Sequence, residues 1–337
     1  MPAASVKLII QIPCFNEEET LPGTIADLPR SIPGVDVIEL LVIDDGSSDR
    51  TVEVARQCGV HHVVSHDVNR GLARAFMTGI EASLRAGADV IVNTDADNQY
   101  FGADIARLVA PVLEGNADVV VGTRPLGSIS TFSPVKKTLQ RLGTHAVRVL
   151  SGTEVRDATS GFRAFSRDAA LRLQVHGQYT YTLETIIQVG AEGLTLKAVP
   201  IRVNPQSRPS RLVKSSFDYV RKSIPTIIRS YARYRPLRFF AWLAAIPGVA
   251  GIVLVVRWFV LRLDGDDASR VPSLVGAAVC VLMAAQLLVL GVLADIQAAQ
   301  RKTTSDILVM LRRREFAPDA ARDLPTAPPG RGEHTAA

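Results

Sequence analysis

The chain is poor in cysteine. Its three, Cys14, Cys58 and Cys280, are odd in number and share no metal-ligand spacing. That excludes a disulfide framework, suits a reducing compartment and leaves all three as packing residues. Net charge is also scarce: the formal balance is +5, and the excess is crowded into Arg211 to Arg238 and Arg301 to Arg314. A surplus so small and so local does not describe a nucleic-acid binder, and the partner it suggests is an anionic membrane surface. No leader is expected at the start, because Lys7 to Pro13 is too short an apolar run and lacks a small-residue cleavage site. Apolar residues, by contrast, make up 47% of the chain, which excludes a disordered protein, and 337 residues suffice for one large domain or two modest ones.

From Lys7 to Thr123 short apolar runs alternate with amphipathic stretches, the pattern of βαβ units and a mainly parallel sheet. The expected strands are Leu8 to Ile12, Leu40 to Ile43, His62 to Ser65, Val90 to Asn93 and Val119 to Val121. The fourth of these organises the rest. Val90 to Val92 reads as a strand buried on both faces, and Asp95 and Asp97 follow it. Carboxylates at i and i+2 of an extended segment point the same way, so the pair suits one hard cation whose other positions are open to a phosphate. The plainer alternative is an acidic turn. Ligands in open α/β sheets settle beyond the carboxyl ends of strands, and that is where the pair lies.

Three further loops stand at the same edge. Asn16 is placed to cap a helix after the first strand, with Glu19 closing a capping box, and a nucleotide contact is the competing reading. Asp44 and Asp45 end the second strand before Gly46, with Ser47 or Ser48 set to cap a helix running to about Gln57. Two adjacent carboxylates exceed what capping needs, and one is placed to accept hydrogen bonds from a ribose or a base. Asn69, Arg70, Gly71 and Arg74 open a third helix with backbone amides and cationic side chains suited to a phosphate. Farther on, helices are expected at Val135 to Leu150 and Leu183 to Ala191, and a strand at Leu196 to Val203. Glu184 is either a solvated helix-start glutamate or an acceptor-side group.

Pro13-x-x-Asn16-Glu17-Glu18, Asp44-Asp45-Gly46-Ser47, Asn69-x-Gly71 and Asp95-x-Asp97 occur in the order and spacing of family 2 glycosyltransferases, which the first 125 residues resemble. Asp97-Asn98-Gln99, Gly122-Thr123-Arg124, Ser160-Gly161-Phe162-Arg163 and Arg208-Pro209-Ser210-Arg211 resemble the polyprenyl-phosphate glycosyltransferases, the group that includes dolichyl-phosphate mannose synthases. The resemblance implies an α/β, Rossmann-like GT-A domain with a mainly parallel sheet, followed by interfacial helices and two transmembrane helices. It implies a nucleotide sugar contacted by Pro13, Asn16, Glu17, Asp44, Asp45, Asn69, Gly71, Arg74, Asp95 and Ala96, with Mg²⁺ or Mn²⁺ on Asp95 and Asp97. Asp97, Gln99 and Arg163 then stand at the reaction centre, and Arg124, Arg163, Arg208, Ser210 and Arg211 meet donor and acceptor phosphates. Two departures stand out: Asn204 to Arg211 differs from the usual Gly-Glu-Ser-Lys type, and Tyr100 replaces the commoner His.

The remainder is membrane material. Phe239 to Val256 and Val271 to Ala294 contain no charged residue, each near the roughly 20 apolar residues a bilayer crossing needs. Trp242 and Trp258 flank the first as interfacial aromatics do, Arg257 and Arg262 are placed to snorkel, and Pro247-Gly248 is a candidate kink. The loop between the spans is mostly acidic while both outer flanks are basic, so the positive-inside rule puts the catalytic domain in the cytoplasm. Ser215 to Arg235 mixes apolar and basic residues as a helix lying in the interface does, broken at Pro225, and it would be drawn to anionic membrane lipids. The expected organisation is a catalytic domain at 1–211, juxtamembrane helices at 212–236, two spans at 237–297, a basic segment at 298–315 and a disordered tail at 316–337. A homo-oligomer is left open.

No Glu-Asp pair follows the acceptor segment and no Gln-x-x-Arg-Trp motif is present, which argues against a processive polysaccharide synthase. A phosphate monoester needs no base, since its second pKa is about 6. The expected reaction is therefore inverting transfer of one sugar from a nucleotide diphosphate sugar to a polyprenyl or dolichyl phosphate. UDP-glucose or UDP-N-acetylglucosamine is favoured and GDP-mannose is the other candidate. The rival readings are a membrane-bound transferase acting on a hydroxyl, with Glu184 as base, and a non-catalytic anchor that binds a nucleotide sugar.

Overall fold

A computed structural model of the chain describes residues 5–125, 143–144, 147–148, 151–175, 181–205, 225, 228–229, 231–263 and 271–316. Among the described residues, seven strands form one sheet in the order β3-β2-β1-β4-β6-β5-β7. They are β1 (Lys7–Cys14), β2 (Val37–Asp44), β3 (His62–Ser65), β4 (Val90–Asn93), β5 (Val119–Thr123), β6 (Arg163–Ser166) and β7 (Leu196–Pro200). Strands β1 to β4 run parallel, with Ile10 opposite both Leu40 and Val92. Their side chains alternate between two cores, as the pleat requires. Ile9, Leu41, Ile43 and Ile91 face one core, and Leu8, Ile10, Ile12, Val42, Val90 and Val92 face the other.

Helices cover both faces: α1 (Leu21–Asp27), α2 (Thr51–Gln57), α3 (Leu72–Arg85), α4 (Ile105–Leu113), α5 (Arg167–Arg172) and α6 (Thr182–Glu192). The chain builds outward from β1 to β2 and β3, then returns to lay β4 on the other side of β1. That reversal opens a crevice beyond the carboxyl ends of β1 and β4, which is where an open α/β sheet takes its ligand.

Several expectations are corrected. Helix α1 starts at Leu21 after a Thr20 N-cap that makes no side-chain cap bond, so Asn16 and Glu19 form no capping box. Neither Ser47 nor Ser48 caps α2; Asp49 Oδ1 accepts Thr51 N at 3.0 Å. Strand β7 ends at Pro200 rather than Val203, and β6, antiparallel between β4 and β5, was not foreseen. Most of the helix expected over Val135 to Leu150 and most of the juxtamembrane stretch lie outside the described residues; 143–144 and 147–148, which are described, are helical.

Among the described residues two long helices follow, α7 (Pro236–Leu263) and α8 (Val271–Glu315), each long and apolar enough to cross a bilayer. Helix α7 continues through Pro247. Large apolar side chains face outward along both, Ile246 at 70% and Leu282 at 63% exposure among them, an apolar surface that water does not tolerate. Small residues seat the pair: a Cβ on Gly251 would stand 3.2 Å from Cys280 Cβ and Val281 Cγ2, the close approach that glycine permits between spans. The basic segment at 298–315 is no separate unit, because it continues α8. Phe316, assigned to the tail, is 7% exposed and packs into the domain core.

Candidate active site

Three loops meet at the crevice, and backbone geometry locks them together. Asn16 sits at φ +55°, a left-handed conformation that asparagine tolerates better than most residues. There its amide donates to Ser47 Oγ at 2.9 Å, and its Oδ1 accepts Ser48 N at 2.8 Å. Asn16 caps no helix and staples the loop after β1 to the loop after β2. Glu17 N donates to Thr51 Oγ1 at 2.8 Å and Glu17 Oε2 accepts the Thr20 hydroxyl at 2.6 Å, which extends the same seam. Pro13 lies within β1, opposite Ile43.

The second loop needs glycine. Gly46 has φ +73°, and a Cβ there would meet the Val68 carbonyl carbon at 2.6 Å and Asn69 N at 2.7 Å. This close approach lets the buried Asp45 reach the start of α3, where its two oxygens accept Arg70 N at 2.9 Å and Gly71 N at 2.8 Å. His66 Nδ1, 2.7 Å away, completes the set. Asp45 thus holds the turn of Asn69 and Arg70 that leads into α3, on which Arg74 is exposed as they are, and its carboxylate is bonded to the amides of that turn and to His66. Asp44, also buried, accepts Ser47 N at 3.0 Å.

The third loop holds the acidic pair. Asp97 Oδ1 accepts Gln99 N at 3.2 Å, and Asn98 takes φ +55° to close the turn. Asn204, just past β7, clasps it from outside: its backbone N donates to Gln99 O at 2.8 Å and its Nδ2 to Asn98 O at 3.1 Å. Ala96, buried, accepts the Thr24 hydroxyl at 2.9 Å through its carbonyl. Burial, and next the charge of Asp97, push the Asp95 carboxyl up to about 7, against the opposing pull of Arg124 and of a hydrogen bond from Tyr100. Two half-buried carboxylates that repel each other form the donor set that a hard divalent cation relieves, so the residues present fit Mg²⁺ or Mn²⁺. Among the described residues no group of three or more His, Cys, Asp and Glu gathers to hold a metal. An ion on Asp95 and Asp97 would keep positions for phosphate oxygens and water.

Beneath the pair lies a buried polar pedestal that sequence reading missed. Tyr100, stacked on Phe162 at 4.8 Å, donates to Asp95 and accepts Gly161 N at 3.0 Å. Asn93 Nδ2 reaches Gly161 O at 2.9 Å and Tyr181 Oη at 2.8 Å, and Gln11 Nε2 supports Asn93 Oδ1 at 2.9 Å. The available signal was Asn93 itself, a polar residue closing an otherwise apolar strand. A Cβ on Gly161 would stand 2.9 Å from both Asp95 Oδ1 and Tyr181 Oη. Gly161→Ala is expected to displace the carboxylate and weaken Mn²⁺ binding by about tenfold to a hundredfold, the usual effect of disturbing what orients a metal ligand. Calorimetric titration reads this directly, and unchanged affinity would show that the tight contact is idle.

The arginines divide. Arg124 is gripped by Asp157, Nε to Oδ2 at 2.7 Å and Nη2 to Oδ1 at 3.1 Å, and Nη2 also reaches Thr159 Oγ1 at 2.6 Å. It lies close enough to Asp95 for its charge to be felt there. Asp157, three residues before Ser160, had drawn no notice. Arg163 is corrected more sharply. It is fully buried, and its guanidinium is spent on Ser160 O at 2.8 Å, Ala158 O at 3.0 Å and Thr185 Oγ1 at 2.5 Å. A side chain so enclosed braces the Ala158–Gly161 turn from beneath, and its charge, like that of Arg124, is felt at Asp95. Arg208, Ser210 and Arg211 fall outside the described residues. Glu184 is not a solvated helix-start residue: it is 3% exposed and paired with Arg233 at 3.3 Å.

A crevice at the strand reversal, two carboxylates suited to a cation, and amide-rich loops around them define the GT-A class of nucleotide-sugar transferases. The profile described as Glycosyl transferase family 2 matches residues 9–173. A Methanocaldococcus jannaschii protein of unassigned activity is 34% identical, over 58% of this chain and 81% of its own. Polyprenol monophosphomannose synthase from Mycolicibacterium smegmatis is 27% identical, over 58% and 76%. Glucosyl-3-phosphoglycerate synthase from Mycobacterium tuberculosis, solved with Mn²⁺, UDP-glucose and phosphoglyceric acid, shares the fold at a TM-score of 0.54 and 23% identity, over 68% of this chain and 81% of that one. The chain belongs to glycosyl transferase family 2 and is a glycosyltransferase.

Proposed function

We propose that the protein transfers one sugar, with inversion, from a nucleotide diphosphate sugar to a polyprenyl or dolichyl phosphate at the cytoplasmic face of a membrane. The observation that carries this reading is the state of Glu184. Transfer to a hydroxyl requires a base, and the carboxylate considered for that part is buried against Arg233. A lipid phosphate, largely dianionic at neutral pH, attacks without one. Two bilayer-length helices in the same chain would keep such an acceptor within reach. The relative that makes polyprenol monophosphomannose points to the same acceptor class.

In this reading the nucleotide lies across the loops ending β1 and β2, with Glu17 and Asp44 toward it. Its diphosphate lies at the Asp95–Asp97 pair. When bound there, Mg²⁺ or Mn²⁺ would neutralise the charge that grows on the departing diphosphate. Gln99, on the same turn, sits beside the sugar, and the rim cations Arg70 and Arg74 draw the anionic donor in. We assign Arg208, Ser210 and Arg211 to the acceptor phosphate; they follow Asn204, which is bonded to the Asn98 and Gln99 carbonyls. The UDP-glucose bound in the mycobacterial neighbour favours a UDP-sugar here.

The test is to incubate purified protein and polyprenyl phosphate with labelled UDP-glucose, UDP-N-acetylglucosamine and GDP-mannose. One label is expected in an alkali-stable, acid-labile lipid. Labelling of a hydroxyl lipid instead, or of none, would overturn the acceptor.

A further inference from the structure

Helix α8 does not stop at the membrane. Its uncharged run ends at Ala294, yet the helix continues without a break to Glu315 and docks along the catalytic domain. The contacts fall in strict order. Ser305 Oγ accepts Gln174 Nε2 at 3.0 Å, and Val309 enters the domain core. Arg312 donates to the Leu171 and Leu173 carbonyls at 3.1 and 3.0 Å and lies 3.6 Å from Glu81. Arg313 pairs with Asp168, Glu315 lies 3.5 Å from Arg85, and the buried Phe316 offers its carbonyl to Arg167.

This order fixes a direction. Glu81 and Arg85 meet Arg312 and Glu315 in turn, so α3 runs the same way as α8, away from the bilayer. Arg167 also holds Ala88 O at 2.6 Å, just before β4, which puts the amino end of that strand at the far tip of α8. The carboxyl ends of the strands, with Asp45, Gly71, Asp95 and Asp97, therefore face back toward the membrane.

The same order gives a height. From Ala294 to Glu315 is 21 residues, which at the α-helical rise amounts to about 30 Å. From Arg85 back to Leu72 is 13 residues of α3, or about 20 Å in the opposite sense. The donor cleft then stands about 10 Å beyond the hydrocarbon boundary, within or just above the headgroup layer, and a helix tilt of about 20° changes this by less than a tenth.

We propose that the Asp295–Glu315 extension of α8, seated by Phe316 at its tip, is a positioning strut that sets the height of the donor cleft, so that a phosphate anchored at the bilayer surface meets the sugar. The strut rests on the acceptor reading above but acts by length, not by chemistry, and so is tested separately. Inserting seven helix-forming residues after Gln300 keeps the docking face nearly in phase and lengthens the strut by about 10 Å. Neutron reflectometry on a supported bilayer is expected to show the domain raised by that amount. Transfer to long-chain polyprenyl phosphate in liposomes is expected to fall at least tenfold, as a misplaced reacting centre should. Binding of Mn²⁺ and UDP, and transfer to a short-chain prenyl phosphate dispersed in detergent, are expected to stay unchanged.

Arg312→Ala with Phe316→Ala undocks the strut and is expected to blur the height and lower liposomal transfer with the same donor binding. An unraised domain, or liposomal transfer at the wild-type rate in both variants, would overturn the strut. Transfer to no prenyl phosphate by the wild type, beside a domain raised as expected, would sink the acceptor reading and leave the strut standing.

Discussion

Asp97→Asn is expected to reduce sugar transfer by about a hundredfold or more while leaving the melting temperature no lower than that of the wild type. The first half follows from the metal: interactions that stabilise charge on a leaving group are worth several kcal/mol, and about 1.4 kcal/mol is a factor of ten. The second half follows from the repulsion between the two carboxylates. Asp97 raises the Asp95 carboxyl, after burial has already done so, and removing the second charge relieves a strain on the folded state. A residue whose loss destroys activity and spares stability is there for chemistry, since function is where proteins tolerate local unfavourable terms. Initial rates with any donor the protein accepts, together with calorimetric unfolding in chelator, give both halves. Activity above a tenth of wild type would remove Asp97 from the metal, and a fall in melting temperature of several degrees would make it structural instead.

What could be read beforehand was set by how locally each feature is encoded. Strands β3 and β4 were legible to the residue because each is a short β-branched apolar run with sharp polar ends, β4 buried throughout and β3 half-buried at the sheet edge. Strand β6 was not, because it opens on an arginine. Arg163 is buried through three oxygen acceptors that come from Ala158, Ser160 and Thr185, two turn carbonyls and a hydroxyl on another helix, and no reading of residue 163 alone would supply them. The acidic pair was legible, but what its neighbours do was only half so. Asp45 and Asn16 stood in motifs that implied ligand contact, and spacing did not show that the fold also bonds them to the amides and hydroxyls of adjoining loops. Motif spacing reports which residues gather at a site and is silent on which of them face inward. The dock of α8 was invisible for a similar reason: Arg301 to Arg314 reads as a basic flank, and its partners, Glu81, Asp168 and the Leu171 and Leu173 carbonyls, lie more than a hundred residues earlier.

Asp157→Ala is expected to lower stability by about 3 to 5 kcal/mol, because it leaves the Arg124 guanidinium largely buried without its partner. For a domain of this size that is a fall of roughly 10 °C in melting temperature. Burial alone would raise the Asp157 carboxyl, yet the charge and hydrogen bonds of Arg124, with those of Thr159, outweigh it and hold the carboxyl below its usual range. A folded pKa below the unfolded one contributes stability that is present above the ordinary value near 4 and is lost as pH falls through the lowered one. Wild-type protein should therefore lose stability on acidification below about pH 4, and Asp157→Asn should lack that component.

The pair also bears on the site, for the Arg124 charge is the first of the influences that oppose the rise at Asp95. Released from Asp157, that guanidinium would turn to the Asp95 and Asp97 carboxylates and compete with the cation, so Mn²⁺ affinity should fall along with stability. The double variant Asp157→Leu with Arg124→Met separates the two effects. Replacing both partners of a buried pair by apolar side chains is often close to neutral for folding, so stability should largely return. The countercharge beside Asp95 stays lost, and transfer with it. Recovery of both would mean that Arg124 and Asp157 serve the fold alone; recovery of stability without transfer is the outcome that ties this ion pair to the chemistry of the neighbouring carboxylates.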